Sequence, residues 1–153
     1  MRGPAGAAIA LLYADFECPY CAAAASRLDG TRFRVAFRHF PIRSSHPRAW
    51  AAAAAAEAAA LQGRFWEMHD LLFADQGRLE DPHLWDRARG LGLDLAQFDT
   101  DRRSDAVKRR IRRDFEAGVR GGIVTTPTLV VGGAIHVGRI DAHAVEALSV
   151  RPR

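Results

Sequence analysis

Ile9-Ala10-Leu11-Leu12-Tyr13-Ala14-Asp15-Phe16-Glu17-Cys18-Pro19-Tyr20-Cys21 is the stretch on which the reading of this chain turns. Ile9 to Tyr13 is a near-continuous apolar run, the pattern of a strand covered on both faces. Cys18-Pro19-Tyr20-Cys21 then opens an alanine-rich stretch of high helix propensity that runs to Leu28, and Pro19 suits a first helical turn. Asp29-Gly30 ends that helix. Phe33, Val35 and Phe37 alternate with Arg32, Arg34, Ala36 and Arg38, so a second strand is expected as far as Phe40, stopped by Pro41. The chain therefore begins strand, helix, strand.

Two cysteines three residues apart at a helix start have a specific chemistry. Positions i and i+3 share one side of a helix, so the two sulfurs can close a small disulfide ring. The first sits over backbone N–H groups that have no intrahelical partner, at the positive end of the helix dipole, which favours its thiolate. Measured thiols in such motifs have pKa values from ~3.5 to ~7. Cys21, one turn further in, suits a resolving role. Pro19 stiffens the turn, and Tyr20 is either a substrate contact or an exposed ring on its lip.

The rest of the composition narrows the alternatives. The chain has 153 residues, 48% apolar, with no apolar run near the ~20 residues of a membrane-spanning helix, so one globular domain over 1–153 without membrane insertion is expected. Ala5 to Ala14 superficially resembles a signal sequence. It lacks a convincing cleavage site and runs straight into the cysteine motif, so it reads as a core strand, and the cytoplasm is the expected compartment. The net charge of +4 is carried almost wholly by arginine and is spread along the chain rather than drawn into a basic stripe, which argues against nucleic acid. Cys18 and Cys21 are the only cysteines, so neither a scaffold of distant disulfides nor a four-thiol zinc site is available. His39, His46 and His69 form no ligand-spaced pair, and Ala22 replaces the histidine that haem attachment would require. No metal is expected.

After Pro41 the pattern turns helical. Ser44, Ser45 and His46-Pro47 read as cap and start of a helix to about Leu61, and Phe65, Met68, Leu71 and Leu72 carry a second. Asp81-Pro82 starts a third and Asp94 caps a short fourth. A fifth begins near Ser104, with Val107, Ile111, Phe115 and Val119 on one apolar stripe and Lys108, Arg109, Arg110, Arg112 and Arg113 on its solvated face. Beyond Gly121-Gly122 a strand is expected over Thr126 to Val131, a two-residue Gly132-Gly133 turn, a partner strand over Ala134 to Val137, and a last helix capped by Asp141. The fold class is thus α/β: βαβ, a helical insertion over about 47–120, then ββα. Thr126-Pro127 stands at the head of its strand, where proline is tolerated. An X–Pro bond taken alone is cis only ~5–6% of the time, so trans is the expectation from these residues by themselves.

This arrangement resembles the DsbA-like branch of the thioredoxin fold. Three separated motifs, Asp15 to Cys21, Arg38-His39-Phe40-Pro41 and Gly63-Arg64-Phe65-Trp66-Glu67-Met68-His69-Asp70-Leu71-Leu72-Phe73, resemble more closely the bacterial group also found fused behind NhaA-type antiporters. The resemblance implies thiol-disulfide exchange with protein thiols and disulfides. Cys18 would be the nucleophile, Cys21 the resolving thiol, and Pro127 a cis-proline facing them. Thr126 would pair with bound peptide, beside Pro19 and Tyr20. No organic cofactor is implied beyond a Cys18–Cys21 disulfide, and the partners would be protein substrates and a recycling redox partner or glutathione. The sequence departs from the family where a buried acid often stands six positions before the first cysteine, because that position is Leu12. Asp15 and Glu17 lie nearer but read as surface charge on a loop. A glutaredoxin-like reductase, a kappa-type glutathione transferase and a non-catalytic binding module are the rival readings. The first lacks so long a helical block, and the second typically has serine where Cys18 stands.

Overall fold

β1 (Ile9–Ala14) is flanked on both edges in a four-stranded sheet of order β2-β1-β3-β4. α1 (Pro19–Leu28) crosses from β1 to its parallel neighbour β2 (Arg34–His39). Five helices follow: α2 (Ala49–Leu61), α3 (Phe65–Ala74), α4 (Asp81–Gly90), α5 (Leu95–Arg103) and α6 (Asp105–Arg120). β3 (Thr128–Val131) then returns antiparallel to the other edge of β1, β4 (Ala134–Val137) pairs with β3, and α7 (Ala142–Ser149) closes the order. This is the α/β thioredoxin-like arrangement, βαβ and ββα around a helical insertion. The computed structural model describes residues 1–149, so positions 150–153 of the domain expected over 1–153 lie outside the described residues. No helix among those described is long and apolar enough to cross a membrane.

Period-two alternation sorts β1 between two cores. Ala10, Leu12 and Ala14 face the larger one with α1 and α2, whereas Tyr13 joins Phe40 and Ile123 in a smaller cluster on the other side. In register, Leu12 lies between Phe37 of β2 and Leu129 of β3. Gly132 and Gly133 turn β3 into β4 with φ of +53° and +82°, values a side chain would resist. The alanine run has a structural purpose. Eight alanines of α2 are buried, and the helix lies among α3, α4, α5 and α6, where a small side chain on every face lets neighbouring helices approach.

Three expectations need correction. Neither Ser44 nor Ser45 caps α2. The helix starts at Ala49, and the amide of Arg48 donates instead to Glu17 Oε2 at 2.7 Å, a cap supplied by the distant cysteine loop. The stripe on α6 leaves the core at its end: Val107 and Ile111 are buried, but Val119 is 53% exposed and Asp114 and Gly118 take the inner positions. Residues four apart drift about 40° per step around a helix of 3.6 residues per turn, so three steps rotate Val119 off the buried face. β3 begins at Thr128, leaving Thr126 and Pro127 in the loop before it. Asp94, Ser104 and Asp141 do cap α5, α6 and α7, accepting from the amides of Gln97 (2.8 Å), Val107 (3.2 Å) and Ala144 (2.9 Å).

Candidate active site

Cys18 is the residue that opens α1. Its backbone is extended (φ −79°, ψ 120°), Pro19 follows in the first turn, and the carbonyl of Cys18 accepts from the amides of Cys21 (3.1 Å) and Ala22 (3.3 Å). No oxygen side chain caps this helix; the sulfur occupies that place. A hydrogen bond from Cys21 is the largest influence on the Cys18 thiol. With the amides of Cys21 and Tyr20 and the Thr126 side chain, it outweighs burial and brings the pKa down to about 6. Cys21 is fully buried, and burial and the neighbouring Cys18 push its thiol far above the ordinary range. One dithiol thus holds an acidic sulfur and a strongly basic one. Cys18 is itself only 4% exposed.

The loop before β3 lies against this pair. Cys18 Sγ is 3.8 Å from the carbonyl oxygen of Thr126, and Cys21 Sγ accepts from the Asp15 amide at 3.4 Å. The Thr126–Pro127 peptide is cis. The Thr126 hydroxyl is buried without a hydrogen-bond partner among the described residues. Tyr20 lies on the rim with 62% of its surface exposed, and Val124 is exposed on the same loop as Thr126. Cys18, Pro19, Cys21, Thr126 and Pro127 therefore belong to one site, with Tyr20 at its edge.

Asp15 and Glu17 are not the surface charges their loop position suggested. Asp15 is 2% exposed. Its Oδ1 accepts from the Glu17 amide at 2.8 Å, its Oδ2 accepts from the Ile42 amide at 2.9 Å, and His46 Nδ1 lies 2.9 Å from the same oxygen. The carboxylate thereby folds the cysteine loop back on itself and fastens it to the segment after β2. Glu17 meets Arg48 twice, accepting from its amide at 2.7 Å and from Nε at 2.9 Å. Local sequence shows a carboxylate beside cysteines; the partners that bury it lie some thirty residues away.

Sequence reasoning also missed Gln76, in the loop after α3. Its side-chain nitrogen donates to the carbonyls of Phe16 and Cys18, both at 2.8 Å. Nothing around Gln76 in the chain marks it. Beneath the loop, Phe16 stacks on Phe37 (ring centroids 5.0 Å), with His69 edge-on to both. Burial takes the His69 imidazole down to about 4, so it is neutral at pH 7 despite Asp70. His39 is buried nearby, 2.7 Å from the Glu57 carboxylate. Leu12 is buried between apolar neighbours, so the site lacks an ionisable side chain at that position.

Known proteins share this architecture. The family model described as DSBA-like thioredoxin domain matches residues 11–148. Among solved structures, a thioredoxin-like oxidoreductase from Silicibacter pomeroyi superimposes with a TM-score of 0.86 at 26% identity, covering 97% of this chain and 87% of that one. The thiol-disulfide exchange protein α-DsbA2 from Wolbachia pipientis gives 0.83 at 21% identity, with 95% and 82% covered. Among curated sequences, a Na(+)/H(+) antiporter NhaA 1 from Mycolicibacterium vanbaalenii is 42% identical over 151 residues, 93% of this chain but 24% of the antiporter. A Na(+)/H(+) antiporter NhaA 3 from Salinispora tropica is 43% identical over 156 residues, 96% and 24%. The chain spans about a quarter of the length of these curated relatives. With strand, cysteine-headed helix, helical insertion and closing hairpin matched along almost its whole length, the chain belongs to the DSBA-like thioredoxin domain family.

Proposed function

We propose that the protein is a thiol-disulfide oxidoreductase that exchanges electrons with protein thiols and disulfides through Cys18 and Cys21. The observation that carries this reading is the split between the two thiols: Cys18 lowered to about 6 at the head of α1, and Cys21 buried and raised. A thiol near ambient pH in acidity attacks and leaves well, whereas a basic partner that keeps its proton stays out of the way until needed.

In the oxidising direction, a substrate thiolate attacks Cys18 Sγ and forms a mixed disulfide. The Cys18–Cys21 bond breaks and its electron pair goes to Cys21, which takes up a proton. A second substrate thiolate then attacks the substrate sulfur of the mixed disulfide. The substrate disulfide forms, and Cys18 leaves as the thiolate that the start of α1 stabilises. Two electrons have passed from substrate to protein. In reverse, the Cys18 thiolate attacks a substrate disulfide and Cys21 resolves it. Pro19, Tyr20, Thr126 and Pro127 form the face offered to the substrate chain. The chemistry stays on sulfur and calls for no further cofactor, and in the cytoplasm the glutathione pool would reduce the pair after it has reduced a substrate disulfide.

Equilibration of the purified chain with defined glutathione buffers tests the proposal. A Cys18 thiol at about 6 lies within the span of known motifs, so a reduction potential between about −270 and about −120 mV is expected. Failure to form a Cys18–Cys21 disulfide in any buffer would replace the redox reading with that of a binding module.

A further inference from the structure

The strand-to-helix junction exposes two backbone carbonyls beside the reactive sulfur, those of Phe16 and Cys18. Both accept from the same nitrogen, Gln76 Nε2, at 2.8 Å. Carbonyl oxygens only accept, so the amide must present its NH2 group here, and both of its hydrogens are used. The loop that carries Gln76 is itself fixed. Leu79 is buried in the core, and Arg87 donates to the carbonyls of Asp75 (2.8 Å) and Arg78 (2.6 Å). Arg48 donates to Gly77 O (3.1 Å) and to Glu80 Oε1 (2.8 Å), while its Nε holds Glu17, the residue before Cys18. The helical insertion therefore grips the cysteine loop at three consecutive residues, through carbonyl, carboxylate and carbonyl.

We propose that Gln76 is the positioning residue for Cys18: from the helical insertion, its amide fixes the carbonyls of Phe16 and Cys18 and so holds the Cys18 sulfur over the first turn of α1. The inference rests on reading Cys18 as the nucleophile. Two physical effects act together. Without Gln76 the Phe16 carbonyl loses its donor and its dipole is free to place negative charge beside the thiolate, while the Cys18 carbonyl, already held by the Cys21 and Ala22 amides, loses the donor that ties it to the insertion. The sulfur also gains from the free amides of α1 only while it stays above them, and that advantage falls off within one turn. Glutamate in place of Gln76 has the same shape but offers no donor, and leucine has similar bulk without polarity.

The test compares wild type, Gln76→Leu and Gln76→Glu as full chains. The pH dependence of iodoacetamide alkylation of Cys18 is measured together with the glutathione equilibrium, and urea unfolding reports the fold. Gln76→Leu should move the alkylation midpoint up, slowing alkylation at pH 6 by about three- to tenfold while leaving the high-pH plateau unchanged. The equilibrium should shift towards the disulfide form in the same sense, because the reduced state has lost thiolate stabilisation. Gln76→Glu should shift both further. Folded variants with wild-type midpoint and equilibrium overturn the proposal. Should the variants not fold, wild type still decides it by NMR: the Gln76 side-chain amide protons should exchange slowly and shift as Cys18 titrates. Unprotected protons with no such titration overturn it. An ordinary wild-type midpoint near pH ~8.5 is a different failure, since it sinks the redox reading on which this inference stands.

Discussion

At the scale of single residues, Thr126 separates stability from reactivity. Its hydroxyl is buried without a hydrogen-bond partner among the described residues, yet its side chain is among the influences that lower the Cys18 thiol. An unpaired buried hydroxyl costs folding free energy, and valine has the same branched shape without that group. Well below pH 6, where Cys18 keeps its proton, Thr126→Val should therefore leave stability to urea unchanged or raise it by about 1 kcal/mol, and it should move the Cys18 alkylation midpoint to higher pH. A lower unfolding midpoint at that pH, or an unmoved alkylation midpoint, would show that the hydroxyl serves something other than the thiolate. Cys18, Pro19 and Cys21 could be picked out from the chain because their spacing is a local feature, whereas Thr126 and Pro127 were tied to them only through the family resemblance. Asp15 could not be read correctly. Whether a carboxylate is solvated depends on what covers it, and here the cover comes from Ile42 and His46.

At the scale of elements, α6 shows how packing overrides propensity. Gly118 lies inside this helix, where alanine would be favoured by about 1 kcal/mol. A Cβ there would stand 2.9 Å from ring carbons of both Tyr13 and Phe40, which form the smaller core with Ile123. Both rings would have to move, and overpacking of this kind costs about 1–3 kcal/mol. With both rings in contact the steric effect wins: Gly118→Ala should destabilise the protein by about 1 kcal/mol in urea unfolding, and by no more than about 2 kcal/mol, net of the propensity gain. A variant at least as stable as wild type would mean that the sheet and α6 are less closely seated. Helix starts followed sequence rules where an aspartate or serine stood at the cap position, as at Asp94, Ser104 and Asp141. They failed at α2, because the cap comes from Glu17, and no window around Arg48 contains it.

At the scale of the whole molecule, the acidity of Cys18 couples redox state to stability. The folded Cys18 thiol is lowered to about 6, whereas an unfolded cysteine titrates near ~8.5. For a group lowered on folding, the stabilisation is fully present above the unfolded value and is lost as pH falls through the folded one. Only the dithiol form has this titration; any contribution of a Cys18–Cys21 disulfide through chain entropy does not vary with pH. The melting temperature of the reduced protein minus that of the oxidised protein should therefore rise between about pH 6 and about pH 8.5. Above that window the raised Cys21 thiol opposes any further gain, because the unfolded chain then loses a proton that the folded one keeps. A difference flat across the window would remove the thiolate from the account of this site.

The sequence by itself determined the order of elements, the place of the cysteine pair at a helix start and the α/β class, because strand alternation, helix caps and glycine turns are written within a few residues of where they act. It also set Thr126-Pro127 next to the last hairpin, though the strand starts only at Thr128. Only the tertiary structure decided that Val119 turns away from the core, that Glu17 caps α2, that Asp15 is buried beside His46 and that Gln76 reaches the carbonyls of Phe16 and Cys18. Each of these joins residues far apart along the chain, or depends on which side of a helix meets another element. Burial and long-range hydrogen bonds belong to the packed arrangement, and no local pattern of residue types contains them.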